Sequence, residues 1–264
     1  MVNEKTTTDQ DVSPSQLPVR RIGAKDLKDA LSKGFADFNA MPTHLFFLCL
    51  IYPIVTLIAA RAYAGYEVLP FVFPLLAGYT LIGPLVAVGM YELSRRRELG
   101  LDVSRRHAFE VFRSPSFGAI AMLGILLMAI YLLWLGAAYS IYVQIFGNAV
   151  PASIPGFIRD VFTTPAGWTL VIVGSGVGFL FAVVVFSLSV VSFPLLLDQR
   201  VGVMTAIQTS ISAVVANPVT MAMWGFIVAA SLLIGSLPLF VGLAVVMPVL
   251  GHATWHLYRK VVVR

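Results

Sequence analysis

Between Val201 and Tyr258 the chain contains no Asp, Glu, Lys or Arg. Charge is scarce elsewhere too, at 12% of residues against 58% hydrophobic, whereas soluble domains are about one quarter charged. This excludes an ordinary soluble domain, and a mean hydropathy of +0.87 points to lipid as the main solvent. A spanning helix needs roughly 20 mainly apolar residues, so 264 residues hold several spans and no large soluble domain. The one cysteine, Cys49, lies in an apolar stretch; it excludes an internal disulfide and reads as a packing thiol. No Gly-rich phosphate loop, serine-nucleophile motif or carboxylate pair is present. The expected spans also lack interior ionisable residues of the kind that ion-coupled transporters place at depth.

The apolar runs that are present divide the chain. Residues 1–23 read as a disordered cytoplasmic tail, and 24–264 as one membrane domain. From Ala24 to Asn39, Leu27, Leu31, Phe35 and Phe38 recur at helical spacing with Lys and Asp between them, which predicts an amphipathic helix on the membrane surface. Spans are expected at 43–63 and 69–91, followed by a second surface helix from Glu92 to Arg113. A third span is expected over 116–142, an irregular Pro-rich loop over 147–167 and a fourth span over 168–197. The uncharged stretch from Val201 is too long for two spans, so it divides into a semi-polar helix closed by Asn217-Pro218 and two spans separated at Gly235 to Pro238. The resulting fold class is all-α: six transmembrane helices as three hairpins, with cytoplasmic interfacial amphipathic helices. The hairpin units run approximately 24–92, 93–200 and 201–260.

With six spans, every Lys and Arg of the eighteen except Arg61 and Arg159 falls on the side of the termini. The positive-inside rule makes that side cytoplasmic. The same distribution accounts for a pI near 9.5 without nucleic acid as a partner. The arginines 95–97 and 105–106 form a juxtamembrane cluster suited to anionic lipid headgroups. Prolines recur before the exits of the second, fourth and sixth spans (Pro84, Pro194 and Pro248), and Gly83/Ala87, Gly174/Gly178 and Gly225/Ala229 are small-residue pairs that permit close helix contact.

His252 and His256 stand four apart on one helix face, which is the geometry of a two-histidine metal site. His44 enters the membrane from the same side. These three are the candidate metal ligands, although no Cys or acidic residue stands beside them in sequence. No catalytic residue and no cofactor is indicated. The ordinary role of such histidines is hydrogen bonding at a helix end.

The residues Gly83-Pro84, Tyr91-Glu92, Ser94-Arg95-Arg96, Phe193-Pro194-Leu195, Asp198, Asn217-Pro218 and Gly251-His252-Ala253-Thr254-Trp255-His256-Leu257-Tyr258-Arg259 resemble a family of bacterial integral membrane proteins of unknown function. Some members of that family carry a cytochrome c oxidase label. The resemblance implies the bacterial inner membrane, and four histidines are too few for a haem–copper catalytic core. The sequence therefore leads to a non-catalytic accessory, assembly or scaffolding component, in contact with the lipid bilayer and with other subunits or itself. A permease for a small neutral or amphipathic solute is the alternative, and a metal- or haem-handling protein linked to respiration is a lesser one.

Overall fold

The computed structural model of the chain describes residues 17–41, 43, 51, 52, 54, 55, 57, 58, 61, 65–148 and 150–263. The expected first span, with Pro42, His44 and Cys49, lies mainly outside these residues, as do residues 1–16 of the expected tail. The described chain is all-helical. In order come α1 (Ala24–Ala40), a short 3₁₀ turn at Tyr66–Val68, α2 (Leu69–Val86), α3 (Val88–Glu98), a 3₁₀ helix at Arg105–Arg113, α4 (Phe117–Phe146), α5 (Ile154–Thr163), α6 (Pro165–Ser189), α7 (Ser192–Asp198), α8 (Val203–Ala216), α9 (Pro218–Ser236) and α10 (Leu243–Val261).

Among the described residues three stretches are long and apolar enough to cross a membrane: Phe117–Phe146, Pro165–Asp198 and Pro218–Ser236. Their outer faces carry bulky apolar residues, among them Ile125, Leu133, Phe179, Phe226 and Leu233, all more than 60% exposed. A surface of that size is incompatible with water and suits lipid. α4 packs against both α2 and α6, while α9 and α10 pack together. Where α9 turns into α10, Gly235 and Gly242 meet backbone to backbone; a Cβ on Gly242 would lie 2.8 Å from Gly235 Cα.

Several expected elements differ from those observed. The surface helix expected over 92–113 is two pieces. Gly100 adopts φ +67, and Leu101 N–H bonds the Arg96 carbonyl while Gly100 N–H bonds that of Arg97, a Schellman stop that only a residue tolerant of left-handed φ accepts readily. The irregular loop expected over 147–167 contains α5. Two of its three prolines start helices instead of breaking them: Pro155 stands in the first turn of α5 behind the Ser153 cap, and Pro165 in the first turn of α6 behind the Thr164 cap. The fourth span is interrupted at Val190–Val191, four residues before Pro194. The Val191 N–H left over there is taken by Ser210 Oγ of α8 at 3.2 Å.

Of the small-residue pairs, Gly178 closely meets the Trp134 ring, Gly225 lies at ordinary van der Waals distance from Phe186, and Gly83 and Gly174 face nothing among the described residues.

The core is densest at one end of the bundle, where α1 lies along the C-terminal half of α10. Leu27, Ala30, Gly34, Asp37 and Phe38 form its buried face, so the apolar stripe expected through Leu31 and Phe35 is rotated; Phe35 is 53% exposed. Small residues decide the rotation. A Cβ on Gly34 would fall 2.6 Å from Ala253 N, so the two backbones approach in a way a bulky stripe would forbid.

The residues leading into α1 are also held. Val19 forms an antiparallel bridge with Val262, flanked by Arg20 N–H to Val261 O at 2.7 Å and Val263 N–H to Pro18 O at 3.0 Å. Asn217, at the corner between α8 and α9, accepts from Ile22 N–H and donates to the Arg20 carbonyl.

Candidate functional site

The most concentrated polar chemistry lies where α1, α3 and α10 meet. Asp37 stands in the last turn of α1, where the helix dipole disfavours negative charge, yet it is only 5% exposed. Three neighbours offset that cost. Ser94 Oγ of α3 donates to Asp37 Oδ2 at 2.6 Å, and His256 Nε2 of α10 donates to the same oxygen at 2.8 Å. Arg97 donates to Asp37 Oδ1 at 3.0 Å and to the Ala36 carbonyl at 2.8 Å, closing the end of α1 as well. Burial alone would raise the pKa of Asp37; the His256 and Ser94 hydrogen bonds outweigh it and hold the carboxyl below its ordinary value of 3.8.

His252, one turn before His256, is fully buried. Its Nδ1 lies 2.8 Å from Ser94 Oγ. The single Ser94 hydroxyl proton goes to Asp37, so Nδ1 carries the proton of His252 and donates to Ser94; the tautomer follows from this network. Nε2 is then a buried acceptor without a hydrogen-bond partner among the described residues. Asp37, Ser94 and His252 are thus linked in series, but Ser94 is itself fully buried, and a nucleophile needs access to its substrate. The chain of bonds joins helices and does not present a reactive oxygen.

A second layer surrounds this one. Glu98 accepts from Trp255 Nε1 at 3.0 Å and from Arg259 Nε at 2.9 Å, fixing the end of α3 to α10. Tyr258 Oη donates to Asp198 at the end of α7 at 2.7 Å. Glu92, buried, receives Arg95 through two nitrogens at 2.8 and 3.0 Å, while Arg96 reaches Glu110 at 2.9 Å. Lys260 pairs with Asp29 at 2.9 Å and Asp26 at 3.3 Å of α1.

The structure therefore brings His252 and His256 together around Asp37. His44 lies outside the described residues, and His107 stands apart, accepting from Ser104 N–H at the start of the 3₁₀ helix. Among the described residues no group of three or more His, Cys, Asp or Glu side chains is placed to hold a metal ion. Sequence reasoning missed Asp37, Ser94, Arg97 and Glu98. The signal for Asp37 was present: it continues the Leu27–Ala30–Gly34 stripe, which is small where the stripe chosen was bulky.

Residues 72–198 match a family described as predicted integral membrane protein (DUF2189), of unknown function. Over this stretch the chain is similar to DUF2189 proteins. The matched segment takes in α3 to α7 and most of α2, hence Ser94, Arg97, Glu98 and Asp198. Asp37 and the two histidines lie outside it, as does the final third of the chain. The site is thus assembled between the DUF2189 segment and the helices flanking it on either side. No curated protein and no solved structure shows significant similarity to the chain.

Proposed function

We propose that the protein is a non-catalytic, six-span component of the bacterial inner membrane, with both termini cytoplasmic, acting as an accessory, assembly or scaffolding part of a larger membrane complex. The observation carrying this reading is the commitment of Asp37 to Ser94, Arg97 and His256, which uses a buried carboxylate between three helices as a fastener. The Val19–Val262 bridge supports the topology. Ends that pair with each other lie on one side, which requires an even number of crossings, and the three apolar stretches therefore need at least one more among 43–63, α2 and α10. Crosslinking in native membranes followed by mild-detergent purification tests the role, with a co-purifying membrane partner or a second copy as the expected product. A lone monomer in every preparation counts against it. Reporter fusions at both termini test the topology, both reporting the cytoplasm.

One observation favours a permease as the second reading. The α2–α3 and α6–α7 junctions break close to Pro84 and Pro194, giving two helices that bend near the polar end. Solute flux in vesicles that is unaffected by replacing Pro84, Pro194 and Pro248 together excludes such gating.

A further inference from the structure

The basic cluster read from sequence as a lipid-headgroup site separates into two classes. Arg95, Arg96 and Arg97 are bound to Glu92, Glu110 and Asp37. Arg106 and Arg113 are exposed and make no ion pair among the described residues. Both belong to the 3₁₀ helix Arg105–Arg113.

A 3₁₀ helix has three residues per turn, so side chains i and i+3 eclipse and the helix has three edges. One edge carries Ala108 and Val111 toward the protein; Ala108 meets Gly89 of α3, and Val111 is buried. A second edge carries His107 and Glu110, both engaged within the protein, and ends in Arg113. The third edge is Arg106, Phe109 and Phe112, with Phe109 53% and Phe112 64% exposed. Two phenyl rings held out in this way are costly in water. Their level is set by the Phe112 ring, which packs edge-on to Phe117 at 5.5 Å, and Phe117 is the first residue of the membrane-crossing stretch Phe117–Phe146. The exposed edge thus continues the lipid-facing surface of α4.

We infer that the 3₁₀ helix is a membrane-interface anchor: Phe109 and Phe112 enter the acyl boundary, and Arg106 and Arg113 hold the phosphate of anionic lipid headgroups above them. A row of apolar residues flanked by cations is the pattern of an interfacial segment. Each cation near an anionic leaflet is worth roughly five-fold in binding, so about thirty-fold for the two. The inference stands on membrane embedding and not on an accessory role, so either can fail without the other.

The test uses the full chain with Cys49→Ala. Nitroxides are placed at Phe109→Cys, Phe112→Cys and, on the engaged edge, Glu110→Cys, in phosphatidylcholine vesicles containing phosphatidylglycerol. Oxygen-dominated relaxation is expected at positions 109 and 112 and nickel-chelate-dominated relaxation at 110. Nickel-dominated relaxation at both 109 and 112 overturns the anchor. In detergent, short-chain phosphatidylglycerol is expected to bind more tightly than short-chain phosphatidylcholine, with the preference falling about thirty-fold in Arg106→Gln/Arg113→Gln and holding in Arg159→Gln. An undiminished preference in the double variant, or equal binding of the two lipids by the parent chain, overturns the headgroup assignment.

Discussion

His256 Nε2 donates to Asp37 Oδ2 at 2.8 Å across 219 positions of sequence, joining α1 to α10. The bond lies at the centre of a fastening system that also includes the pairs Arg97–Asp37, Arg259–Glu98 and Lys260–Asp26. This gives the otherwise bland end of a lipid-facing bundle a definite shape.

Removing the carboxylate tests the fastener. Asp37→Ala leaves Arg97, Ser94 and His256 without their acceptor, and breaking a buried pair from one side costs about 3 kcal/mol. The partly exposed Arg97 side chain, at 42%, moves the expectation toward the lower end. The protein should unfold at lower temperature in detergent, and α1 should become the first site of proteolysis. Lys33→Ala, which removes only the exposed pair with Asp29, should change stability by less than about 0.5 kcal/mol.

The same carboxylate sets an acid limit. Its folded pKa lies below 3.8, so its contribution is fully present above the unfolded value and is lost as pH falls through the folded one. Protease resistance of α1 should therefore be flat from neutrality to about pH 4 and fall below it. In Asp37→Asn that acid-dependent step should shrink to the part contributed by Asp26 and Asp29, held below 3.8 by the Gly23 N–H and by Lys260 respectively, with a lower plateau throughout. A step at higher pH that survives in Asp37→Asn would assign the acid sensitivity to another group.

The approach of α1 to α10 depends on one missing methyl group. In Gly34→Ala the new Cβ meets the Ala253 backbone at 2.6 to 2.8 Å, and since backbone cannot swing aside the helices must separate, at about 1–3 kcal/mol. Gly174→Ala makes the opposite prediction. Nothing among the described residues lies within 4 Å of that position, and the gain in helix propensity is at most about 1 kcal/mol. Thermal unfolding of the two variants side by side checks the pair.

The terminal bridge can be locked. Val19 and Val262 form the pair that does not exchange its own N–H groups, the bonds coming from their neighbours instead. Such pairs bring Cα atoms to about 4.5 Å, within disulfide range. Val19→Cys/Val262→Cys in a Cys49→Ala background should oxidise readily to a faster-migrating, intramolecularly closed species on a denaturing gel. Failure to close under mild oxidation would mean that the two segments are not paired in solution.

Much of this architecture was legible in the sequence, because hydropathy marks a long apolar helix regardless of its neighbours. Phe117–Phe146 and the α8–α9 corner at Asn217-Pro218 fall where expected. The failures have physical causes. The spacing of Leu27, Leu31, Phe35 and Phe38 places α1 on the membrane surface, but α1 packs against α10 through Ala30 and Gly34, and Phe35 points away. Pro155 and Pro165 suggest a loop by composition, whereas the Ser153 and Thr164 caps preceding them make each part of a helix start. At the site, the two histidines were visible from their spacing alone. Asp37 was not, since a lone Asp among Lys and Asp residues reads as solvated until its partners, 57 and 219 positions away, are known.

The clasp between Val19 and Val262 also dictates an order of events during synthesis. The groove that receives α1 is built largely from α10, which leaves the ribosome after the other described helices. Until then Leu27 and Phe38 have no protein surface to cover them, and Asp37 has no His256. Among the described helices α1 is thus the first made and the last to reach its place, and the growing chain must carry it beside the membrane until α10 has been made.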